Sequence, residues 1–472
     1  MSDVRSLLRA GLADRRAWLV GGAVRDQALG RASADYDVVV EGDPRTAALA
    51  LAASAKRQGL STACFPLSEE FGAWRVAARD GDWQVDVQPL QGGSLDADLA
   101  LRDFTVNAVA QEVAGGEPID PLDGLADLGA RRLRMAGKDA FADDPLRVLR
   151  LVRIAVELDL EPDPVTFARA QAHASGLRDV SPERVFAELH RVVAAPGARA
   201  GLEMLERVGA IEAVLPELHA LAGVAQNKYH HRDVYGHTME ALEQVLVLQA
   251  DPEAVFGPDQ GEQVASLLAE PLADELTRGD ALRWGALLHD AAKPLTRATR
   301  ECDGRVTFLG HDVQGSDLAN DVLTRLRTSA RLRDHVAALV RHHLRLGFLV
   351  HRPPPLAREA VFDYLMATGP VAVDVTLLSV ADRLATRGEG SQAAIEAHLG
   401  VARLMLPAAL RWRAEGPPRP LLRGDELADE LGMAPGPLVG ELLAALTRAQ
   451  FAGHVATREQ ALAFVHASGI GR

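Results

Sequence analysis

The chain has 472 residues, 48% of them hydrophobic, which is too long for one core and predicts about three or four domains. Its two cysteines, Cys64 and Cys302, exclude a disulfide framework and a cysteine-rich zinc site, and a reducing cytoplasm is the expected compartment. The net charge of −14 argues against a protein that coats nucleic acid indiscriminately, because cationic side chains dominate phosphate binding, but leaves room for a local basic track.

The N-terminus "MSDVRSLLRAGLADRR" lacks an apolar signal core. The uncharged stretch "TAALALAASA" is about half the length that crosses a bilayer, so no membrane is expected. Up to about residue 115, "AWLVGG", "DYDVVVEG", "WRVAARD", "WQVDVQPL" and "FTVNAVAQEV" read as strands and "PRTAALALAASAKRQG" as a helix. From about residue 120 the strands stop, and apolar residues recur at helical spacing, as in Leu146, Leu149, Val152, Val156 and Leu160. An α/β head followed by an all-helical remainder gives an α+β chain. Seams are expected at "AGVAQNKYHHRD" near 225 and "LATRGEGSQ" near 387, with "HRPPPLAR" interrupting the domain between them and "RAEGPPRPLLRG" leading into the last helices. Arginines cluster at 131, 132, 134, 147, 150 and 153, whereas acids gather in "EAVFGPDQGEQVASLLAEPLADELTRGD". Such clusters are equally readable as solvated helix faces.

The segment "WLVGGAVRDQALGRASADYDVVV" concentrates chemistry. Asp35 and Asp37, at i and i+2 on a strand, project to the same face and are spaced to share a Mg²⁺ ion. Gly21 and Gly22 permit close approach of backbone amides to a triphosphate, Arg25 supplies positive charge, and Asp26 holds Arg25 in place. Asp86, on a neighbouring predicted strand, is a candidate third carboxylate. A lone pair of alternating carboxylates is common on surface strands, so the neighbours carry the reading.

"LVGGAVRD" followed by "DYDVVV" resembles the signature of class II tRNA nucleotidyltransferases and bacterial poly(A) polymerases, a branch of the polymerase β superfamily. Further along, "LRDFTVNAVA" is similar to that family's ribose-recognition motif and "DPLDGLADLGARRLR" to its hinge-like connector. "FADDPLRVLRLVRIA" is similar to its base-selecting helix, and "SPERVFAELHRVV" to the helix that buttresses it. The resemblance implies that Arg102, Asp103 and Asn107 contact ribose and phosphates. It also implies that Asp144 and Arg147 read the Watson–Crick edge of CTP or ATP, with Asp143 and Arg150 beside them and Glu183 and Arg184 as supports. Capping by Asp103, and by one aspartate before Pro145, is the structural alternative. Leu101 stands where the family usually has a second arginine, and Asp143 where it usually has glutamate. Between Asp86 and Arg102 the chain has only "VQPLQGGSLDADLAL", whereas family members that add the complete CCA commonly carry a longer flexible loop thought to act as a lever.

A second constellation places His237, His289, Asp290, His311, His342, His343 and Asp382 on successive predicted helices, a set suited to one or two transition-metal ions. Its order resembles the HD phosphohydrolase domain, with Lys293 one turn after Asp290 suited to a phosphate. A divalent Ni, Mn or Co ion, or Mg²⁺, is the implied occupant, and a degenerate, purely structural domain is the alternative. Near the C-terminus, "MAPGP" opens a helix whose N-terminus suits a phosphate or serves only as a packing turn.

The expected organisation is therefore a polymerase β-like nucleotidyltransferase head (1–118), a helical neck and body (119–224), an HD-type helical domain (225–390) and a helical tail (391–472). The expected function is template-independent addition of CMP, with AMP open, from CTP and ATP to the 3′ end of tRNA. The restricted CC product is expected over full CCA or poly(A) addition. A phosphohydrolase with a nucleotide-sensing head is the alternative of another class.

Overall fold

In the computed structural model, residues 4–68, 72–226, 231–388 and 390–467 are described. They group into two compact units, Met1–Val214 and Leu215–Arg472. The two expected seams fall partly on 227–230 and 389, outside the described residues.

The first unit opens with α1 (Val4–Gly11), β1 (Ala17–Val20), α2 (Gly22–Ala28), β2 (Asp35–Val40) and α3 (Pro44–Arg57). It continues through β3 (Thr62–Ser68), β4 (Ala73–Ala78), β5 (Gln84–Pro89), α4 (Leu95–Ala100) and β6 (Ala110–Glu112). The six strands form one sheet in the order β3-β4-β5-β2-β1-β6, with β2 and β5 parallel and the other neighbours antiparallel. Strand β2 runs from an exposed Asp35 into fully buried Val38, Val39 and Val40, so one end is anchored in the core while the carboxylate end stays accessible. Helix α3 is started by Asp43, whose side chain accepts from the amides of Arg45 and Thr46, and by Pro44 in its first turn. Its Ala47, Leu51 and Ala55 join Val38, Val76 and Val85 in the core. Fully burying each larger aliphatic side chain contributes about 1.5–3 kcal/mol.

Two expectations change here. "FTVNAVAQEV" is not one strand: Thr105–Asn107 forms a 3-10 turn and only Ala110–Glu112 pairs in the sheet. Thr105 Oγ1 donates to buried Asp127 (2.6 Å) and Asn107 Nδ2 to Asp103 (3.0 Å), and these polar contacts override the β propensity of the run. The stretch "TACFPLS", not assigned from sequence, supplies the edge strand β3.

The rest of the unit comprises α5 (Gly124–Gly129), β7 (Arg132–Leu133), α6 (Ala140–Asp143), α7 (Arg147–Leu158), β8 (Glu161–Pro162) and α8 (Pro164–His173). Helices α9 (Pro182–Ala194), α10 (Ala198–Arg207) and α11 (Ala210–Val214) complete it. Strands do not vanish after residue 120, since β7 and β8 make a two-residue parallel ladder.

The second unit is helical, with two further small ladders. Its elements are α12 (Pro216–His219), α13 (Val234–Ala250), α14 (Glu253–Phe256), α15 (Pro258–Leu268), β9 (Pro271–Ala273), β10 (Leu276–Thr277), α16 (Arg278–Leu288), α17 (Lys293–Thr296), β11 (Ala298–Thr299) and β12 (Val306–Thr307). Then follow α18 (His311–Arg325), α19 (Ala330–His342), α20 (Arg345–Leu349), α21 (Arg358–Thr368), α22 (Ala372–Ala385), α23 (Ser391–Glu415), α24 (Gly424–Leu431), α25 (Pro437–Ala452) and α26 (Arg458–Ala467). Helices α13, α16, α18, α19 and α22 pack around Leu242, Trp284, Leu288, Val336 and Leu378, all fully buried. The stretches Arg358–Ala385 and Ser391–Glu415 are long and apolar enough to cross a bilayer by length and composition alone, a test that core helices of soluble proteins also pass. In the first, 78% of its most apolar 18-residue window is buried inside the bundle, as in core helices, and the stretch is broken by a 3-10 turn at Gly369–Val371.

Candidate functional site

On the sheet of the first unit, register alone brings the carboxylates together. Asp37 lies directly opposite Asp86 across the parallel β2–β5 pair, and Arg75 lies opposite Asp86 across β4–β5. Side chains opposite one another share a face, so all three project from the same side of the sheet. Arg75 holds both oxygens of Asp86, Nε at 2.7 Å and Nη2 at 2.8 Å. Asp35 sits two residues before Asp37 at the exposed end of β2. Burial pushes the Asp37 carboxyl up from its ordinary value, with Asp86 and Asp35 adding to the rise and Arg102 and Arg150 opposing it. A half-buried carboxylate beside like charges suits a cation, so Asp37 with the exposed Asp35 fits the expected Mg²⁺. Asp86 is already paired with Arg75, which offsets its charge beside that site.

The glycine turn ends β1. Gly21 adopts φ +72°, a conformation glycine tolerates and side-chain-bearing residues rarely adopt. Its amide donates to Val109 O (3.1 Å), continuing the β1–β6 pairing, and is therefore not aimed at a phosphate as the sequence had suggested. Behind the turn, Arg25 donates to Asp26 (2.8 Å) and to Asn107 Oδ1 (2.6 Å). Asn107 donates to Asp103 Oδ1 (3.0 Å), and Arg150 grips Asp103 Oδ2 through Nε (2.9 Å) and Nη2 (2.5 Å). Arg150 also approaches Glu188 of α9 at 3.4 Å. One polar chain thus runs from the glycine turn to the two helices resembling base-reading elements. Burial alone would raise the Asp103 carboxyl, but Arg150, Asn107 and the Phe104 amide hold it well below the carboxylate range.

Asp144 lies just before the start of α7, in the link from α6, close to the helix start expected from sequence. Its Oδ1 accepts from the Leu146 amide (3.1 Å) and its Oδ2 from Arg184 of α9 (2.7 Å). Arg147 donates to the carbonyls of Leu101 (2.8 Å) and Ala140 (3.2 Å). Asp143 is exposed at the end of α6, and Glu183, exposed in the first turn of α9, complements that helix's dipole; neither has a described hydrogen bond to Asp144 or Arg147.

In the second unit, six of the seven expected ligands converge as two groups, His237, His289 and Asp382, and Asp290, His311 and His343. Within each group one ligand atom per residue lies within 4.8 Å of the others. His237 Nε2 stands 2.9 Å from Asp382 Oδ1, and His311 Nε2 3.4 Å from Asp290 Oδ1. The Nδ1 atoms of His289, His311 and His343 contact the carbonyls of Ala286 (2.8 Å), Phe308 (2.7 Å) and Val340 (2.6 Å). A carbonyl only accepts, so each Nδ1 carries the proton and each Nε2 presents its lone pair inward. His311 Nε2 and His343 Nε2 then face each other at 3.3 Å, an arrangement that a cation relieves. Burial lowers His343 to about 4, keeping it neutral.

His342 does not join the cluster. It ends α19, accepts from Arg345 Nε (2.8 Å), and burial together with Arg345 and Arg341 lowers it to about 4. Lys293 is buried against Asp290 Oδ2 (2.7 Å) and Gln226 Oε1 (2.7 Å), so its charge is already engaged. Beside the cluster opens a cavity of about 520 Å³, lined by Lys293, Arg300, Arg305, His311, Asp382 and Arg383 among others.

A sheet-based head and a histidine–aspartate helical bundle define a chain with a polymerase-type head and an HD-type domain, and the comparisons agree. Residues 17–134 match the Poly A polymerase head domain, 159–221 the probable RNA and SrmB-binding site of polymerase A, and 263–387 the HD domain. The chain is 38% identical to the A-adding tRNA nucleotidyltransferase of Deinococcus radiodurans, covering 95% of this chain and 94% of that one. It is 36% identical to the CC-adding enzyme of Thermus thermophilus, over 95% and 93%. Against the multifunctional CCA protein of Xanthomonas campestris it is 32% identical, over 74% and 79%. The Thermotoga maritima CCA-adding enzyme complexed with tRNA shares the fold, with a TM-score of 0.61 at 19% identity over 99% of this chain and 95% of that one. The chain belongs to the CCA-adding tRNA nucleotidyltransferase family and is an enzyme.

Proposed function

We propose that the enzyme transfers CMP from CTP to the 3′ end of tRNA lacking CCA and stops after two additions. Asp35 and Asp37 hold Mg²⁺, which polarises the reacting phosphates when bound, and Asp86, paired with Arg75, orients the terminal hydroxyl. Arg102 and Arg25 face the triphosphate, Asp103 and Asn107 the ribose, and Asp144 and Arg147 the base edge. The polar chain from Arg25 through Asp103 to Arg150 carries this reading, because it ties the glycine turn to the helices proposed to select the base. The CC restriction is supported by the connector, residues 90–94, which is tied to α4 at both ends and has little reach as a lever. The 38% identity to an A-adding enzyme favours a second reading, addition of the terminal A alone.

Incubating the enzyme with tRNA lacking CCA, and with tRNA already ending in CC, and sequencing the products with CTP and ATP together decides between them. Ends stalled at CC support the first reading, whereas A added only to the CC-ending substrate supports the second. Complete CCA ends built on tRNA lacking CCA, or poly(A) ends on either substrate, refute both.

The HD-type domain, residues 225–390, is proposed as an independent metal-dependent phosphohydrolase acting on phosphorylated or cyclic-phosphate RNA ends, with the helical tail (391–472) holding tRNA. Wild-type protein inactive on such ends with Mn²⁺, Ni²⁺, Co²⁺ and Mg²⁺ would make the domain structural. A cytoplasmic setting, with tRNA, CTP and ATP as partners, follows from the same reading.

A further inference from the structure

We infer that Asp98 is a positioning residue for nucleotide binding, aiming Arg102 at the Gly21–Asp37 edge and tying that aim to the connector at 90–94. The inference rests on the reading of Arg102 as a triphosphate contact. Asp98 lies in α4 and is only 6% exposed. A carboxylate that buried is tolerated only when its oxygens are satisfied, and here they are divided between two tasks. Its Oδ1 accepts from the Gln91 amide (3.1 Å), fixing the connector, and its Oδ2 accepts from Arg102 Nη2 (3.2 Å) one helical turn on. The connector is pinned from its other side as well. Ser94 caps α4 at the Ala97 amide (3.2 Å), and Gly92, at φ +64°, packs so closely that an added Cβ would come 2.7 Å from Ala97 Cβ.

Arg102 reaches the proposed catalytic edge. Its Nη1 lies 3.2 Å, and Asp37 Oδ2 3.5 Å, from the point a Cβ on Gly21 would occupy, so cation and carboxylate flank the space that glycine leaves open. Arg102 Nε is buried with no hydrogen-bond partner among the described residues, so Asp98 is the side chain that holds this guanidinium. Leu101, the neighbouring position, is 47% exposed and contributes only its carbonyl, which accepts from Arg147. One short helix therefore holds the connector and the phosphate-facing cation, and its end seats the proposed base-reading arginine. Asp98 is the side chain that joins the first two.

The test compares Asp98→Asn, Asp98→Glu and Arg102→Ala in the full-length enzyme, measuring KM and kcat for CTP with tRNA and inhibition by inorganic triphosphate. Asparagine keeps an oxygen for the Gln91 amide but turns an NH₂ toward Arg102. Expected is a rise of about 10-fold in KM and in the triphosphate inhibition constant, with kcat within about 3-fold, the signature of lost ground-state binding. Glutamate retains the charge and should keep both within about 3-fold of wild type. Equal losses in the Asn and Glu variants would point to packing around α4 and overturn the proposal. So would wild-type KM and inhibition in Asp98→Asn while Arg102→Ala loses both. If Arg102→Ala also binds triphosphate normally, the reading of Arg102 itself fails.

Discussion

Arg150 closes on Asp103 with two nitrogens, at 2.9 and 2.5 Å, and thereby joins α7 to the turn that follows α4. Asp103 is 6% exposed, and its carboxyl is held well below the usual range by Arg150 after the opposing push of burial. A carboxyl depressed on folding stabilises the folded state fully above its unfolded pKa, about 3.9, and loses that contribution as pH falls toward the folded value. The gap in thermal midpoint between wild type and Asp103→Asn should therefore be constant from neutral pH down to about pH 5, then narrow below about pH 4. Hydrogen bonds to a charged group of this kind contribute about 1.5–3 kcal/mol. A gap that widens on acidification would show that Asp103 is not the ionised partner.

Asp37 and Asp35 differ in burial, and their proposed metal role predicts the same outcome for both. Asp35→Ala and Asp37→Ala should each lower CMP incorporation by about 10³-fold or more while tRNA affinity stays within about 3-fold, because the lost electrostatic stabilisation acts on the transferring phosphoryl group. Incorporation at the wild-type rate by either variant in a single-turnover assay would remove it from the site.

For the helical unit, His289→Ala should lower bound divalent metal per chain, read by elemental analysis, and abolish any phosphohydrolase activity without changing nucleotide transfer. His342→Ala should leave the metal content unchanged, since His342 faces Arg345 rather than the cluster. Equal metal loss in the two variants would contradict the assignment of ligands.

Much of this was legible in the sequence. The i, i+2 spacing of Asp35 and Asp37 put them on one face, and the strand reading of "WQVDVQPL" placed Asp86 beside them, where the β2–β5 register brings it opposite Asp37. Arg75 was missed because nothing local marks it; its partner is set by antiparallel register across β4–β5. The His342-His343 doublet could not be resolved by spacing, because α19 ends there and only one ring turns into the bundle. The division of six ligands into two groups depends on which helices cross, a tertiary property no period encodes. The Gly21 amide was misread for a similar reason, its acceptor Val109 being 88 residues away on the approach to β6.

The last prediction concerns base choice. Asp144 is held from two sides, by the Leu146 amide at one oxygen and by Arg184 at the other, in a link where Pro145 prevents helix from running through. Both oxygens are thus oriented before any base arrives, and in the proposed role this carboxylate accepts the exocyclic amine that C and A share and that U and G lack. Asp144→Asn adds a donor and should admit UTP, lowering the CTP-to-UTP preference in kcat/KM by about 10- to 100-fold, the scale of one good base-edge contact. Arg184→Ala leaves Asp144 intact but frees one oxygen. It should lower the same preference less, by about 3- to 10-fold, because the pair is half exposed and partly replaced by water. Competition assays with equimolar labelled CTP and UTP on tRNA lacking CCA give both ratios. An Arg184→Ala enzyme as permissive as Asp144→Asn would mean that Arg184 itself touches the base, and a preference unmoved by Asp144→Asn would move base selection away from this link.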